Sequence, residues 1–332
     1  MPVSGTTSLS PASRFRAQIQ LRHLNPNDAA ITAVYTLGKL PIPYTIPHAV
    51  SANIINNGLN TLTNLDVTLN ITGANSFTNI QTISSLAPGA STQVTFAGFT
   101  PTNTGNNNIS VSVPADDFNS DNNFAVPQEV TNNSYSYAYG TTATGAAGIV
   151  GNSVDMVVKF TSSTAAAINQ VGVNFGAGGQ PFKIGIWDKS GAGVPGNLLW
   201  ESETQQSTQG VFTLPVNPNV AITDTFYVGV RQLGVTNIQF SYQSETPVRL
   251  NTFFQATPTG NTTWSDFAPN NPVRFMIEPR LSIANDVGIS KINDPISTTS
   301  IDNCGIVPQA TISNFGSSNQ TTPFNVTFLI RQ

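Results

Sequence analysis

The sequence predicts an all-β protein built from more than one β-sandwich, and three observations support this. Apolar Val67, Leu69 and Ile71 alternate with polar neighbours, which is the period of a half-buried strand. Turn clusters such as Asn56-Asn57-Gly58 and Ala87-Pro88-Gly89 separate these runs at short intervals. At 332 residues the chain is too long for one ordinary core, so two or three domains are expected.

The composition agrees with strands rather than helices. Only 9% of the residues are charged, against roughly 25% in an ordinary soluble domain, whereas 39% are hydrophobic. Asn, Ser and Thr replace the missing charges, and their side chains compete with helical hydrogen bonding but suit strands and turns. The apolar content is sufficient for packed cores, so a folded chain is expected.

The charge pattern excludes two classes of partner. The formal net charge is −4 and the basic residues are scattered, which argues against binding of nucleic acid. No run approaches 18 apolar residues, so membrane insertion is not expected. The first residues lack the basic start and apolar stretch of a signal peptide, so any export signal is expected to lie outside this chain.

An internal similarity predicts the domain order. Ala52–Gly58 recurs as Ala310–Gly316, shifted by 258 residues, and Leu65–Ile71 is echoed by Phe324–Ile330, shifted by 259. We interpret this as a repeating unit of two sandwiches. Chance similarity between strands rich in valine and asparagine is the alternative. The predicted divisions are a leader with the last strand of a preceding domain (1–27), a first sandwich (28–131), a second sandwich (132–281) and a truncated copy of the first (282–332).

The first predicted sandwich resembles a known family. Ala52-x-Ile54-x-Asn56-x-Gly58 is followed in order by Val67-x-Leu69-x-Ile71, Leu86-x-Pro88-Gly89 and Asn122-Asn123. This succession resembles the bacterial cell-adhesion-related domain called CARDB, over roughly 28–131 and again, truncated, at 285–332. The resemblance implies an Ig-like sandwich and a role in structure or adhesion.

The second predicted sandwich is similar to a jelly-roll-like module of exported proteins from the Bacteroidetes group. The similarity rests on Ile184–Asp188, Gly193–Leu199, Phe226–Val230 and Arg274–Ile277. It implies a secreted or cell-surface location, with neighbouring domains of the same polypeptide as partners. The family offers no catalytic residues to carry over.

Candidate catalytic residues are few. The only histidines are His23 and His48, and no Gly-x-Ser-x-Gly motif is present, so a serine triad is not expected. The single cysteine, Cys304, is expected to be a free thiol or to form an intermolecular bridge. We therefore predict that the chain is not an enzyme and has no cofactor, with calcium as the one open alternative.

A glycine-rich stretch has two interpretations. Gly191-Ala192-Gly193-Val194-Pro195-Gly196 fits the Gly-x-Gly-x-x-Gly pattern of dinucleotide sites. Such a site requires the loop to open a helix. The following residues, Asn197–Ser202, instead have the pattern of a strand, so a hairpin loop is predicted.

Oxygen-bearing side chains at alternate positions suggest a calcium site. Asp117, Asn119 and Asp121 have the spacing with which a calcium loop begins. Asn122 stands where an EF-hand needs glycine, and Gln128 where it needs glutamate, so an EF-hand is not supported. A looser calcium site at the end of the sandwich and a turn rich in Asn and Asp are both left open.

Aromatic residues provide the candidate ligand-binding site. If Phe182, Ile184 and Ile186 face the core, alternation places Trp187 on the opposite face, where an exposed ring could stack on a sugar. Trp264 and Tyr227 are the other ligand-binding candidates. The alternative is that a neighbouring loop or domain covers Trp187.

Two functional hypotheses follow. The first is a structural or adhesive stalk of stacked sandwiches, which contacts an extracellular glycan or a surface protein. The second is a carbohydrate-binding module at 132–281, attached to a secreted enzyme whose catalytic domain lies outside this chain.

Overall fold

The computed structural model describes residues 25–282, 287–294, 307–314, 320–321 and 323–327. Within these ranges it contains β-strands, with one single-turn 3-10 helix and no α-helix. The all-β prediction is confirmed. His23, Cys304 and positions 1–24 of the predicted leader segment lie outside the described residues.

The first sandwich is Ig-like, with two sheets facing each other across an apolar core. One sheet has the order β1-β3-β6 and the other the order β2-β8-β7-β4-β5. Strand β2 runs parallel to β8, and the remaining pairs are antiparallel. The strands are β1 (Ala29–Tyr35), β2 (Lys39–Pro41), β3 (Ser51–Asn56), β4 (Leu62–Gly73), β5 (Phe77–Leu86), β6 (Ser91–Thr95), β7 (Gly105–Ser112) and β8 (Asn123–Thr131).

The apolar residues of the predicted alternation fill this core. Val67, Leu69 and Ile71 of β4 are completely buried, and Ile54 of β3 faces them from the other sheet. Their polar neighbours, such as Asn70, remain exposed. The side-chain period of two therefore sets which face of each sheet is buried.

The second sandwich also consists of two sheets. The first follows the order β13-β12-β16-β10-β18-β19, with β14 attached to β12, and the second follows β15-β11-β17-β20, with β21 on β11 and β9 on β17. The strands are β9 (Gly145–Ala147), β10 (Val154–Thr161), β11 (Ala166–Phe175), β12 (Pro181–Lys189), β13 (Pro195–Glu201), β14 (Gln205–Gln206), β15 (Gly210–Ile222), β16 (Thr225–Gln232), β17 (Phe240–Ser244), β18 (Phe253–Ala256), β19 (Ser265–Asp266), β20 (Val273–Phe275) and β21 (Ile277–Ser282).

A seam of hydrogen bonds joins the two sandwiches, and we define it as residues 133–138 with their partners. Lys39 N donates to Ser136 O at 2.9 Å on one side, and Tyr135 N donates to Pro279 O at 3.0 Å on the other. One apolar cluster runs through both sandwiches, and Tyr135 belongs to it with 0% of its surface exposed. The two sandwiches therefore share a core.

Two further strands pair in the described part of the C-terminal region, β22 (Val287–Asp294) and β23 (Gln309–Asn314). Val287 is the partner of Asn314, as Ala29 is the partner of Asn56 in β1 and β3. The register shift after Ile289 matches the one after Ile31. From Val287 to Ile292 the pairing of β22 with β23 thus reproduces that of β1 with β3, displaced by the 258 residues of the sequence similarity. A second register shift, between Ile292 and Asp294, has no counterpart in β1.

Candidate functional site

The main candidate site is a cleft of about 260 Å³ on the outer face of one sheet of the second sandwich. We call it the tryptophan cleft. Strand β12 supplies Trp187, β10 and β16 supply the charged pair of Asp155 and Arg231, and two loops complete the walls. Its principal lining residues are Asp155, Trp187, Asn197, Arg231, Asn261 and Trp264.

Trp187 forms the floor of the cleft. It lies on the face of β12 opposite Phe182, Ile184 and Ile186, as the alternation predicts. The expectation that its ring is exposed is wrong, because only 4% of its surface is accessible. The loop that carries Trp264 covers it, and the two rings meet edge to face with centroids 5.8 Å apart.

Trp264 is the accessible aromatic of the cleft. Its side chain is half-buried, so part of the indole remains open to solvent. The loop from Thr257 to Trp264 is held by its own hydrogen bonds, in which Asn261 Nδ2 donates to Thr257 O at 2.7 Å and Asn261 Oδ1 accepts from Thr263 N at 2.9 Å. The ring is therefore presented by an ordered loop.

Tyr227 belongs to the packing beneath the cleft and not to its surface. It is completely buried, pairs with Trp187 across β12 and β16, and packs on Phe254 at 5.8 Å. Its hydroxyl donates to Gly193 O at 2.5 Å, and burial raises its pKa to about 12. Its role is to anchor the loop that forms one wall.

A charged network forms the inner wall. Arg231 Nε donates to Asp155 Oδ1 at 3.1 Å, and Arg231 Nη1 also binds the Glu201 carboxylate. Burial raises the pKa of Asp155, although Arg231 and the Gly260 amide favour its charged form. The pKa of Glu201 is lowered, chiefly by the hydrogen bond from Lys183. The Arg231 guanidinium lies 5.7 Å from the Trp187 ring centroid, within cation–π range.

Sequence analysis missed Asp155 and Arg231. They stand opposite each other in the register of β10 and β16, more than seventy positions apart along the chain. The missing signal was strand pairing, which the sequence does not reveal. Once β10 and β16 are paired, the opposite charges at these two positions identify Asp155 and Arg231 as an ion pair.

The glycine-rich stretch is a hairpin loop, as predicted. Lys189 and Pro195 pair across it, so β12 and β13 are antiparallel neighbours and no helix follows. Asn197 N donates to Asp188 Oδ1 at 2.5 Å, and its side chain donates to Asp188 Oδ2 at 3.0 Å. The loop therefore forms a wall of the tryptophan cleft.

The residues predicted to bind calcium lie at the end of the first sandwich, between β7 and β8. Asp117 is exposed, and its Oδ2 accepts from Asn27 N at 2.8 Å. Asn119 Oδ1 accepts from Asp116 N at 3.1 Å, so it holds the turn. Asp121 differs, since its Oδ1 is buried and has no hydrogen-bond partner. In the described ranges, no group of three or more His, Cys, Asp or Glu side chains is arranged to hold a metal ion.

A second cavity, of about 350 Å³, lies between the two sandwiches and is lined by Tyr35, His48, Tyr135, Tyr137 and Arg249, among others. His48 Nε2 lies 2.9 Å from Thr36 Oγ1. Burial, with a smaller contribution from Arg249, lowers the pKa of His48 to about 4. His48 is therefore a neutral, hydrogen-bonded histidine of the interface.

The charge of Arg249 is already neutralised. Its Nη2 lies 2.6 Å from Glu245 Oε2, its Nη1 donates to Thr36 O at 3.1 Å, and its guanidinium lies over the Tyr137 ring at 4.5 Å. These contacts join the sandwiches and leave no unpaired charge for a ligand.

No helix among the described residues is long and apolar enough to cross a membrane.

Comparison with known proteins identifies one family. Residues 46–138 match the CARDB family model, a segment that runs from just before β3 into the seam. No protein with a curated description matches the sequence. The match leaves the second sandwich, and with it the tryptophan cleft, outside the recognised family.

Three solved structures show weak similarity. The structure of the cysteine protease and lectin-like domains of Cwp84, a surface layer associated protein of Clostridium difficile, has a TM-score of 0.34 and 12% identity. The alignment covers 66% of this chain and 58% of that one, so this chain spans little more than half of its length. A clostridial Cwp84 cysteine protease after propeptide cleavage also has a TM-score of 0.34 and 12% identity, covering 76% of this chain and 70% of that chain.

The secreted serine protease VesC from Vibrio cholerae has a TM-score of 0.19 and 10% identity, and the alignment covers 71% of this chain and 47% of that one. At these scores the similarities carry no functional argument.

Proposed function

We propose that this chain is a non-catalytic, extracellular segment of a larger repetitive bacterial surface protein, with a structural and adhesive role. The observation that carries the proposal is the CARDB match over residues 46–138, because that family is of the structural and adhesion type.

The repeated strand pair supports the repetitive character. From Val287 to Ile292, strands β22 and β23 pair with the register and the first register shift of β1 and β3. The apolar residues of this pair are exposed, with Ile289 at 51% and Ile312 at 41%, whereas their counterparts Ile31 and Ile54 are buried. We infer that β22 and β23 begin a second Ig-like sandwich.

The seam supports a structural role. A segment that transmits force needs a stiff connection between its domains. Backbone hydrogen bonds on both sides of Tyr135 and a shared core provide one, and the ion pair of Lys39 with Glu278, at 2.6 Å, reinforces it.

The proposal is tested in the bacterium that encodes the protein. Antibodies raised against the purified chain are expected to label intact cells without permeabilisation, and a strain lacking the gene is expected to attach less well to its substratum. Re-expression of the gene is the control and should restore attachment. Labelling that requires permeabilised cells would overturn the proposal.

The tryptophan cleft favours a second candidate function, binding of an extracellular glycan. Sugar rings stack on aromatic faces while hydrogen-bonding groups hold their hydroxyls. Trp264 presents part of its ring to solvent, and Asn197 and Thr262 are exposed beside it.

A glycan array with the purified chain tests this second function. Trp264→Ala is expected to abolish binding, whereas Trp200→Ala is the matched control, because Trp200 lies outside the cleft and donates to Asn217 O at 3.2 Å. Binding that survives Trp264→Ala, or the absence of binding to every glycan, would exclude the cleft as a glycan site.

A further inference from the structure

Three buried side-chain oxygens without hydrogen-bond partners lie where the start of β1 meets the loop between β7 and β8. They are Asp28 Oδ1, Asp121 Oδ1 and Asn122 Oδ1. Only 6% of Asp28 and 7% of Asn122 are exposed. Buried polar atoms are nearly always hydrogen-bonded, so three orphaned oxygens in one region require an explanation.

The neighbouring hydrogen bonds fix the direction of these side chains. Asp28 Oδ2 accepts from Asn25 Nδ2 at 3.2 Å, which leaves Oδ1 as the unpartnered oxygen. Asn122 Nδ2 donates to Pro114 O at 2.6 Å, so its Oδ1 points away from that bond. Strand β1 and the turn at Asn119–Asp121 are in contact. Asp28 immediately precedes β1, Asp121 is the last residue of the turn and Asn122 immediately follows it, so the three oxygens lie on or next to elements that touch.

The electrostatics of the region are unfavourable without a cation. The negative charges of Asp28 and Asp116 act on the Asp121 carboxylate. Asp116 lies beside them, because its Oδ2 accepts from Ala29 N at 2.7 Å. Like charges held together in a partly buried region repel one another, whereas a bound cation would offset the repulsion.

We propose that Asp28, Asp121 and Asn122 form a calcium site that fastens the start of β1 to the loop between β7 and β8. Two carboxylates and one amide oxygen are hard ligands of the kind that Ca²⁺ prefers. Ca²⁺ takes six to eight oxygens, so water and backbone carbonyls complete the shell. In the described ranges, no group of three or more His, Cys, Asp or Glu side chains is arranged to hold a metal ion. The proposed site does not conflict with this finding, because its third ligand is the amide of Asn122.

This site differs from the one that the loop sequence predicts. Asp117 accepts a hydrogen bond from Asn27 N, and Asn119 accepts one within the loop itself, so only Asp121 is common to both sets. Asp28 joins the site from the residue that precedes β1. In the sequence, Asp286 stands at the position equivalent to Asp28 in the predicted second copy.

Calcium binding is measured on the full chain after treatment with EDTA and exchange into metal-free buffer. CaCl₂ at about 1 mM is expected to raise the midpoint of thermal unfolding, because a ligand that binds the folded state stabilises it. MgCl₂ at the same concentration is expected to have a much smaller effect, since Mg²⁺ demands a tighter octahedral shell. Equal shifts with both metals would indicate general charge screening and overturn the proposal.

The variants Asp28→Asn and Asp121→Asn identify the ligands. Each is expected to weaken calcium binding at least tenfold by calorimetric titration, while the metal-free protein becomes as stable as the wild type or more stable, because repulsion is relieved. Asp117→Asn is the matched control, with the same change of charge on the same loop, and should bind like the wild type. Loss of binding in Asp117→Asn alone, or in none of the three, would overturn the assignment.

Discussion

At the scale of single residues, Trp187 shows how burial changes the role of a side chain. Its position on the outer face of β12 suggests a binding residue, but Trp264, Tyr227 and Phe254 enclose it in a small second core. The accessible part of the cleft belongs to Trp264. A test of ligand binding should therefore alter Trp264 and leave Trp187 intact.

Replacement of Trp187 by alanine is expected to destabilise the fold by about 3–5 kcal/mol, because a buried aromatic is removed and a cavity remains. The free energy of unfolding can be measured with urea and followed by circular dichroism. Trp264→Ala, at a half-buried position, should cost less. A loss below about 1 kcal/mol for Trp187→Ala would contradict its role in the core.

Because burial lowers the pKa of His48, we expect the stability of the protein to depend on pH. Its pKa is about 4 in the folded protein and near 6.5 in the unfolded chain, so the unfolded state binds more protons between these values. Stability is therefore fully present above about pH 6.5 and decreases as the pH falls towards 4. Between pH 7 and pH 5 we expect a loss of about 1–2 kcal/mol from this group.

His48→Gln isolates this effect. Glutamine keeps a hydrogen-bonding group near Thr36 but does not titrate, so the variant should lose less stability than the wild type over the same range. Urea unfolding at several pH values measures both proteins. Identical pH profiles would show that His48 is not held neutral by burial.

At the scale of elements, the sheet that carries the cleft depends on two facing glycines. Gly185 of β12 and Gly229 of β16 are register partners. A Cβ at Gly185 would overlap the Trp187 ring, and a Cβ at Gly229 would overlap Met156 O and Val157. The absence of a side chain at Gly185 provides the space in which Trp187 lies flat on the sheet, and its absence at Gly229 permits the close approach of β10.

Gly185→Ala is expected to destabilise the protein by about 1–3 kcal/mol through overpacking and to perturb the environment of Trp187. Thermal unfolding and near-ultraviolet circular dichroism measure the two effects. Gly191→Ala is the matched control, because a Cβ at that position of the hairpin loop would project into open space. Equal effects of the two substitutions would refute the packing argument.

At the scale of the whole molecule, the continuous core and the seam predict that both sandwiches unfold together. All three tryptophans lie in the second sandwich, at positions 187, 200 and 264, so their fluorescence reports on that sandwich alone. Far-ultraviolet circular dichroism reports on both. The two transitions are expected to coincide in urea.

Arg249→Ala should separate these transitions. The substitution removes the hydrogen bond to Thr36 O and the guanidinium that faces Glu245. Glu245 is left with the backbone amide of residue 249, at 3.2 Å, and the longer contact to Arg274, at 3.6 Å. We expect a loss of about 3 kcal/mol. Arg280→Ala is the control, since that side chain is 43% exposed and pairs with Glu278. Coincident transitions in Arg249→Ala would show that the interface does not depend on this residue.

Sequence patterns were sufficient to establish the all-β class, the side of the sheet on which each strand residue lies, the hairpin at 191–196 and the similarity of β22 and β23 to β1 and β3. These properties are local or repeated, and the period of the strand and the turn residues encode them. Three interactions became visible only in the folded chain: Trp264 covers Trp187, Asp155 meets Arg231, and the charge of Asp28 acts on Asp121. The physical reason is that alternation specifies a face of a sheet, whereas the segment packed on that face depends on pairing between residues far apart in the chain.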